Sequence, residues 1–309
     1  MTNMKISIIG AGNVGGLTAL RMAQEKLADV VLIDVVPGLA KGKAYDLEDS
    51  RSIVNSDYSV SGSEDINDLA DSRIVVITAG LARKPGMTRE DLLNKNTEIL
   101  KGICNTIKDK AQDAIVIVVT NPLDAMTYFV LKTLGFEKTK VFGMGLTLDS
   151  SRFVNLISKE LNISCARISA SVIGSHGESM LPLPRFTIVN GKHLSDICDK
   201  TKIDELVEKT VERGKEIVSL LGSGSAYFAP SAAITQLART IINDEKRILG
   251  VSCLLNGEYG VKGVCAGVPC FLGKNGIEKI IEIGLNDQEK SQFIKSCDSI
   301  RELIGKLNI

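Results

Sequence analysis

Lys5-Ile-Ser-Ile-Ile-Gly10-Ala-Gly12-Asn-Val-Gly15-Gly16 opens the most informative stretch of the chain, and Val30-Val31-Leu32-Ile33-Asp34 closes it. The apolar run Ile6, Ile8, Ile9 reads as a buried strand. Gly10, Gly12 and Gly15 then follow the spacing Gly-x-Gly-x-x-Gly. Each glycine has a separate task. Gly10 permits the tight turn out of the strand, Gly12 lets the backbone approach a pyrophosphate, and Gly15 lets the next helix pack close to the sheet. That helix points its N-terminal N–H groups at the phosphates. Val30–Ile33 is a second buried strand, ended by Asp34 about 20 residues beyond the glycines, where a carboxylate can accept from both hydroxyls of an adenosine ribose. The same carboxylate repels a 2′-phosphate, and Val35 and Val36 follow it instead of a basic residue, so the cofactor expected is NAD, not NADP. The alternative is a plain strand–turn–helix with accidental glycines.

Further along, strands and helices alternate. A helix is expected over 38–50, a strand over Ile74–Thr78, a long amphipathic helix from Leu92 to Lys110, and a strand over Ile115–Val119. A helix over 125–134 and a short strand at 140–142 complete this half. Such alternation implies an α/β, Rossmann-type, doubly wound parallel sheet, with ligands at the carboxyl ends of its strands. Gly80–Arg89 and Thr120–Asp124 are both such ends and face the same crevice as the glycine turn. The second half has helices over 148–161, 203–221, 230–242 and 286–307, a hairpin at Asn190-Gly191, and antiparallel strands over 247–255 and 264–272. Strands followed by helices without strict alternation point to a C-terminal α+β substrate domain. The boundary is placed at residue 145, giving domains 1–145 and 146–309.

Composition narrows the function. The 309 residues exceed one average domain, and 44% apolar residues is ordinary for a globular protein. Lys+Arg and Asp+Glu balance at 37 each, which leaves no basic surplus for nucleic acid or an anionic membrane. No apolar run reaches about 18 residues, so no membrane span is expected. A first strand at Lys5 leaves no room for a signal or transit peptide. The seven cysteines are scattered without a Cys-x-x-Cys, which reads as reduced thiols in a cytoplasm, with neither disulfides nor metal ligands. Only His176 and His193 are available for histidine chemistry.

Four features invite chemistry, each beside a plainer interpretation. Arg83, Lys84 and Arg89 fall between Gly80 and the next helix: a solvated basic turn, or a lid carrying cations over an anionic substrate. Asn121-Pro122 is an ordinary turn, or a special backbone, cis in one version, presenting Asn121 to a ligand. Asp149 and Arg152 share a helix face at i and i+3, as in a surface ion pair. His176 stands between glycines in Gly174-Ser-His-Gly177-Glu178, either in a surface turn or in a catalytic loop. His193 reads as exposed and has no role.

Taken together, Gly10–Gly15, Asp34, Ala79–Arg89, Thr120–Asp124, Leu148–Arg152 and Gly174–Glu178 resemble, in order and over essentially the whole chain, the lactate/malate dehydrogenase family, and most closely its bacterial, lactate-dehydrogenase-like malate branch. The resemblance implies reversible NAD-dependent oxidation of (S)-malate to oxaloacetate. It makes His176 the acid/base, oriented by Asp149. Arg152 would clamp the C1 carboxylate, Arg89 would polarise the C2 carbonyl, and Asn121 would bind the C2 oxygen. Arg83 stands where lactate enzymes of the family have glutamine and would take the second carboxylate. The implied cofactor contacts are Gly10, Gly12, Asn13, Val14, Gly15, Asp34, Thr78, Ala79, Gly80, Asn96, Val119 and Asn121. The implied partners are a small-molecule substrate and other copies of the chain, in a homodimer or homotetramer. The close rival is a lactate or broader 2-hydroxy-acid dehydrogenase. An NAD-binding scaffold with a dead site would lack His176, Asp149 or Arg152, and all three are present. An NAD-and-metal glycosidase would need a His/Cys cluster that the sequence does not contain.

Overall fold

The computed structural model describes residues 4–81 and 89–307. Arg83 lies outside the described residues, and so does the side chain of Arg89.

The first half builds β1 (Lys5–Ile9), α1 (Asn13–Gln24), β2 (Asp29–Ile33), α2 (Leu39–Asp49), β3 (Val60–Ser63), β4 (Ile74–Ile77), α3 (Arg89–Lys110), β5 (Ile115–Val118), α4 (Leu123–Leu134) and β6 (Val141–Gly143). Its six strands are parallel, in the order β3-β2-β1-β4-β5-β6. Every residue of β4 and β5 is buried, as a parallel strand covered by helices on both faces must be. The strand order reverses beside β1, which puts the glycine turn, the end of β4 and the end of β5 around one crevice. β3 was not anticipated. Its sequence, Val-Ser-Gly-Ser, carries no apolar run because it lies at the sheet edge with only Val60 buried.

The second half adds α5 (Leu146–Leu161), β7 (Ile168–Ser169), β8 (Val172–Gly174), β9 (Met180–Pro182), β10 (Ile188–Val189), β11 (Lys192–His193), α6 (Lys200–Leu221), α7 (Phe228–Ile242), β12 (Arg247–Asn256), β13 (Lys262–Gly273), β14 (Gly276–Ile280) and α8 (Asp287–Ile304). Asn190 and Gly191 both have positive φ, 51° and 81°, which is the two-residue turn that joins β10 to β11. α7 starts two residues before the expected Pro230. The proline sits in the first turn, where its missing N–H has no intrahelical partner to lose. Asn286 caps α8 in a reciprocal box with Glu289.

Of the second half's strands, only β7, β10 and β11 form a separate, three-stranded antiparallel sheet. β12, β13, β8 and β9 continue the parallel sheet in antiparallel fashion, and the joint is the pairing of Ser252 in β12 with Gly143 in β6. A Cβ at Gly143 would lie 2.4 Å from Thr127 Oγ1, so the joint closes only over a glycine. α5 is seated on this extension through Leu146, against Gly250 and Gly267. A Cβ at Gly267 would fall 1.3 Å from Leu146 Cδ2 and 2.9 Å from the Gly174 carbonyl oxygen. Leu146 is fully buried and has nowhere to retreat. Gly267→Ala is therefore expected to destabilise the fold by about 1–3 kcal/mol. Urea unfolding measures this as a lower midpoint, and an unchanged midpoint would mean that Leu146 has another place to go.

Candidate active site

The glycine turn is built as its spacing demands. Gly10 has φ +105°, and a Cβ there would lie 2.7 Å from the Ala79 nitrogen. At Gly15 a Cβ would lie 1.9 Å from the Gly10 carbonyl oxygen, so α1 leaves the turn at a distance no side chain permits. Gly12, the N-cap of α1, differs: a Cβ there would meet nothing within 4 Å. Protein packing does not require that glycine, which faces outward with Asn13, and the open space in front of the helix N-terminus fits a diphosphate. Thr78 ties the end of β4 to this turn by donating to the carbonyls of Ile9 and Gly10, at 3.1 and 2.9 Å. Asp34 accepts from the Ala11 N–H at 2.6 Å and the Val36 N–H at 2.9 Å. These two bonds fix its carboxylate beside the turn and leave lone pairs for ribose hydroxyls.

Across the crevice, α5 presents Asp149 and Arg152 one turn apart. The Asp149 side chain is fully buried and that of Arg152 is 11% exposed, so this is not the surface ion pair that the sequence alone allowed. Arg152 Nη1 donates to Asp149 Oδ1 at 3.0 Å. His176 Nδ1 lies 2.6 Å from Asp149 Oδ2. A carboxylate can only accept, so the neutral ring carries its proton on Nδ1 and leaves the Nε2 lone pair free. Burial favours the neutral ring. The Asp149 carboxylate, through its charge and its hydrogen bond, and Asp124, through its charge, outweigh both burial and the opposing Arg152, and raise the imidazole pKa above its usual 6.5. Arg152 Nε is the one buried side-chain polar atom without a partner among the described residues. An N–H stranded in this way costs about 1–3 kcal/mol, which a ligand carboxylate would recover.

Both halves line one cavity of about 520 Å³. Val14 of the first turn of α1 and Thr78, Gly80, Val119 and Asn121 of the loops after β4 and β5 come from the first half, Arg152 and His176 from the second, and α6 and α7 close it with Gly214 and Pro230. The Asn121–Pro122 peptide is cis, the second of the two backbones considered above. His193 is exposed on β11, outside this cavity.

Asn96, one of the expected cofactor contacts, is built into the wall behind two of the cavity's loops. It is fully buried in α3 and spends its amide on backbone, accepting from the Leu81 N–H at 2.8 Å and donating to the Asn121 carbonyl at 2.7 Å. It thus staples the loop after β4 to the loop after β5. Asp124 is the residue that motif spacing left without a task. It is 5% exposed and accepts from the His176 N–H at 2.8 Å and from Ser252 Oγ at 2.6 Å. An aspartate in the first turn of a helix, four residues after Thr120, was its only trace in the sequence. Asn96→Ala removes the side-chain partner of the Leu81 N–H and of the Asn121 carbonyl, both on exposed residues. It should cost about 1 kcal/mol of stability and weaken dinucleotide affinity as both loops shift. Thermal unfolding and NADH titration measure the two effects, and full affinity in a destabilised variant would confine Asn96 to folding alone.

The family profile for the lactate/malate dehydrogenase NAD binding domain matches residues 4–143, and that for the lactate/malate dehydrogenase alpha/beta C-terminal domain matches residues 146–308. A malate dehydrogenase of Methanosarcina barkeri is 48% identical over 305 residues, covering 99% of each chain. The crystal structure of Cryptosporidium parvum malate dehydrogenase superposes with a TM-score of 0.95 at 40% identity over 98% of both chains. The lactate dehydrogenase of the same organism, solved with lactic acid and NAD, also gives 0.95, at 36% identity over 99% of this chain and 98% of that one. Matched along its whole length in sequence and in fold, the chain belongs to the lactate/malate dehydrogenase family.

Proposed function

We propose that the chain is an NAD-dependent malate dehydrogenase, interconverting (S)-malate and oxaloacetate. The observation that carries this is a base and a buried guanidinium with an unused donor, both lining the cavity that begins at the glycine turn, with a fully buried carboxylate behind them that orients both. Residues 1–145 form the cofactor-binding domain, which also lends Arg83, Arg89 and Asn121 to the substrate, and 146–309 form the substrate domain. Gly10, Gly12, Asn13, Val14 and Gly15 would hold the diphosphate, and Asp34 the adenosine ribose. Thr78, Ala79, Gly80, Val119 and Asn121 would flank the nicotinamide half. When bound, NAD supplies the hydride acceptor for C2.

The remaining work belongs to the side chains. His176 Nε2 takes the hydroxyl proton of malate, and the imidazolium formed is stabilised by Asp149, already on Nδ1–H. In the other direction the same nitrogen returns the proton to the ketone oxygen. Arg152 clamps the C1 carboxylate with its free Nε–H and the adjacent Nη2, a two-point grip that a guanidinium is shaped to make. Asn121 holds the C2 oxygen, and Arg89 polarises the C2 carbonyl. The two lid arginines enter on sequence and family resemblance, since they lie outside the described side chains.

Substrate choice rests on Arg83. Oxaloacetate brings a second carboxylate to a closed site. Pyruvate brings a methyl group there and strands the guanidinium. Leaving a buried charge unpaired costs several kcal/mol, so discrimination on the order of a thousandfold is expected. The family supports both outcomes on one fold, as the neighbouring lactate dehydrogenase illustrates. The seven free thiols support a reducing, cytoplasmic setting, and the family favours a homodimer or homotetramer.

NADH oxidation with a panel of 2-oxo acids is the decisive assay. Oxaloacetate should far exceed pyruvate in kcat/KM, and equal values would sink the malate assignment. Arg83→Gln should lose oxaloacetate activity and gain pyruvate activity, whereas no gain would place the specificity elsewhere in the pocket. His176→Asn should lower kcat by roughly 10²–10⁴ while NADH still binds. Wild-type turnover in that variant would remove the imidazole from the chemistry.

A further inference from the structure

Asp124 is a buried carboxylate that the proposed proton relay does not use. It stands in the first turn of α4, and each of its oxygens has one donor. Oδ2 takes the backbone N–H of His176 at 2.8 Å and Oδ1 takes the hydroxyl of Ser252 at 2.6 Å. Ser252 is the β12 residue that pairs with Gly143 at the joint between the two halves of the sheet. The loop bearing the imidazole is therefore tied through one carboxylate to the first half's helix and to the strand that fuses the halves. A buried carboxylate needs a compensating reason, since burial alone penalises its charge. Two well-aligned donors supply part of that compensation, and a nearby imidazolium supplies the rest.

We propose that Asp124 is a positioning residue for the acid/base histidine. Its carboxylate fixes the backbone of His176 and adds a second negative charge to that of Asp149 on the imidazole. The inference rests on the reading of His176 as the acid/base. The Asp124 carboxyl is pushed up to about 6: burial, with a smaller push from the Asp149 charge, outweighs the Ser252 hydroxyl, the His176 N–H and the charge of the ring, which pull it down. The groups that face it are few. Asp149 and His176 are the charged groups acting on it, Arg152 of α5 acts on the ring instead, and the thiols of Cys265 on β13 and Cys297 on α8 are raised by burial and stay neutral through the working range. Above the Asp124 pKa two carboxylates act on the ring. Below it only Asp149 does, and the imidazolium loses support.

The sign is fixed. Removing the Asp124 charge must lower the pH at which His176 gives up its proton, because that charge helps to hold the proton on. Asp124→Asn isolates the charge. Its amide oxygen can accept from the His176 N–H and its amide nitrogen can donate to Ser252 Oγ, so both contacts survive. The chain has two histidines, so an imidazole titration followed by NMR resolves His176, with exposed His193 as internal control. The expected result is a His176 titration displaced to lower pH, an unmoved His193, and unchanged NADH binding. In oxaloacetate reduction, which needs the protonated ring, the alkaline limb of kcat/KM moves down in pH, with a several-fold loss on that limb. A His176 titration that stays in place overturns the proposal, even if rates fall, because a purely structural carboxylate would lower rates without moving it.

Should Asp124→Asn not fold, Ser252→Ala keeps the charge and removes one donor. Asp124 then takes its own proton at higher pH, visible as a second inflection in the His176 signal that moves upward from the wild-type position. An inflection that does not move counts equally against the proposal. Because the titration needs no substrate, a protein without malate or oxaloacetate turnover would overturn the function proposed above and leave this result standing.

Discussion

A single carboxylate with no access to water, Asp149, accepts from an imidazole and a guanidinium at once. In a low-dielectric interior a charged group left without partners would cost several kcal/mol. Its two partners offset that cost, and the rest of the site follows from supplying them. α5 provides Arg152 on the same face, one turn away. The loop after β8 brings in His176. The result is a ring of defined tautomer and a guanidinium with one unpaired N–H, on two side chains that both line the cavity.

That arrangement needs two structural units held in fixed relation, and the sheet does this. A parallel half and an antiparallel half share one continuous set of strands, joined where Gly143 meets Ser252. The joint is narrow, and a side chain at Gly143 would collide with Thr127. Ser252, at the same point, directs its hydroxyl to Asp124, which in turn holds the backbone of His176. The hydrogen bonds that position the imidazole thus start from the same residues that fuse the sheet. A hinge at this place would blur the distance between cofactor cradle and base.

The cradle obeys a different constraint, that of close approach. Gly10 and Gly15 are glycines because protein atoms crowd them, whereas Gly12 is crowded by nothing in the protein. A glycine kept where packing does not ask for one leaves room for something that is not protein. Thr78 and Asn96 hold the neighbouring strand ends in place through backbone carbonyls and N–H groups, so the loops that line the cavity are fastened from behind.

Local patterns were enough to set the parallel half. Buried runs of Ile and Val, the glycine spacing and the acid after the second strand all act within a few residues, as the Asn-Gly turn does in the other half, and each of them formed as its chemistry required. The order of motifs along the chain was likewise enough to identify the family. The edge strand β3 escaped because half-exposed small residues carry no period. The contacts that make the site work escaped for a deeper reason. His176 and Asp149 are 27 positions apart, His176 and Asp124 are 52, and Ser252 and Asp124 are 128. Nothing local marks such pairs, because they come together only when helices and strands from both halves pack. Asp149 and Arg152 read as a surface pair for the same reason: their spacing showed that they share a helix face, but which way that face points was decided by the packing of α5 onto the antiparallel strands. Chain chemistry determined which groups were available and in what order, while tertiary packing alone decided which of them lost their water, and it is the loss of water that makes those charges act on one another.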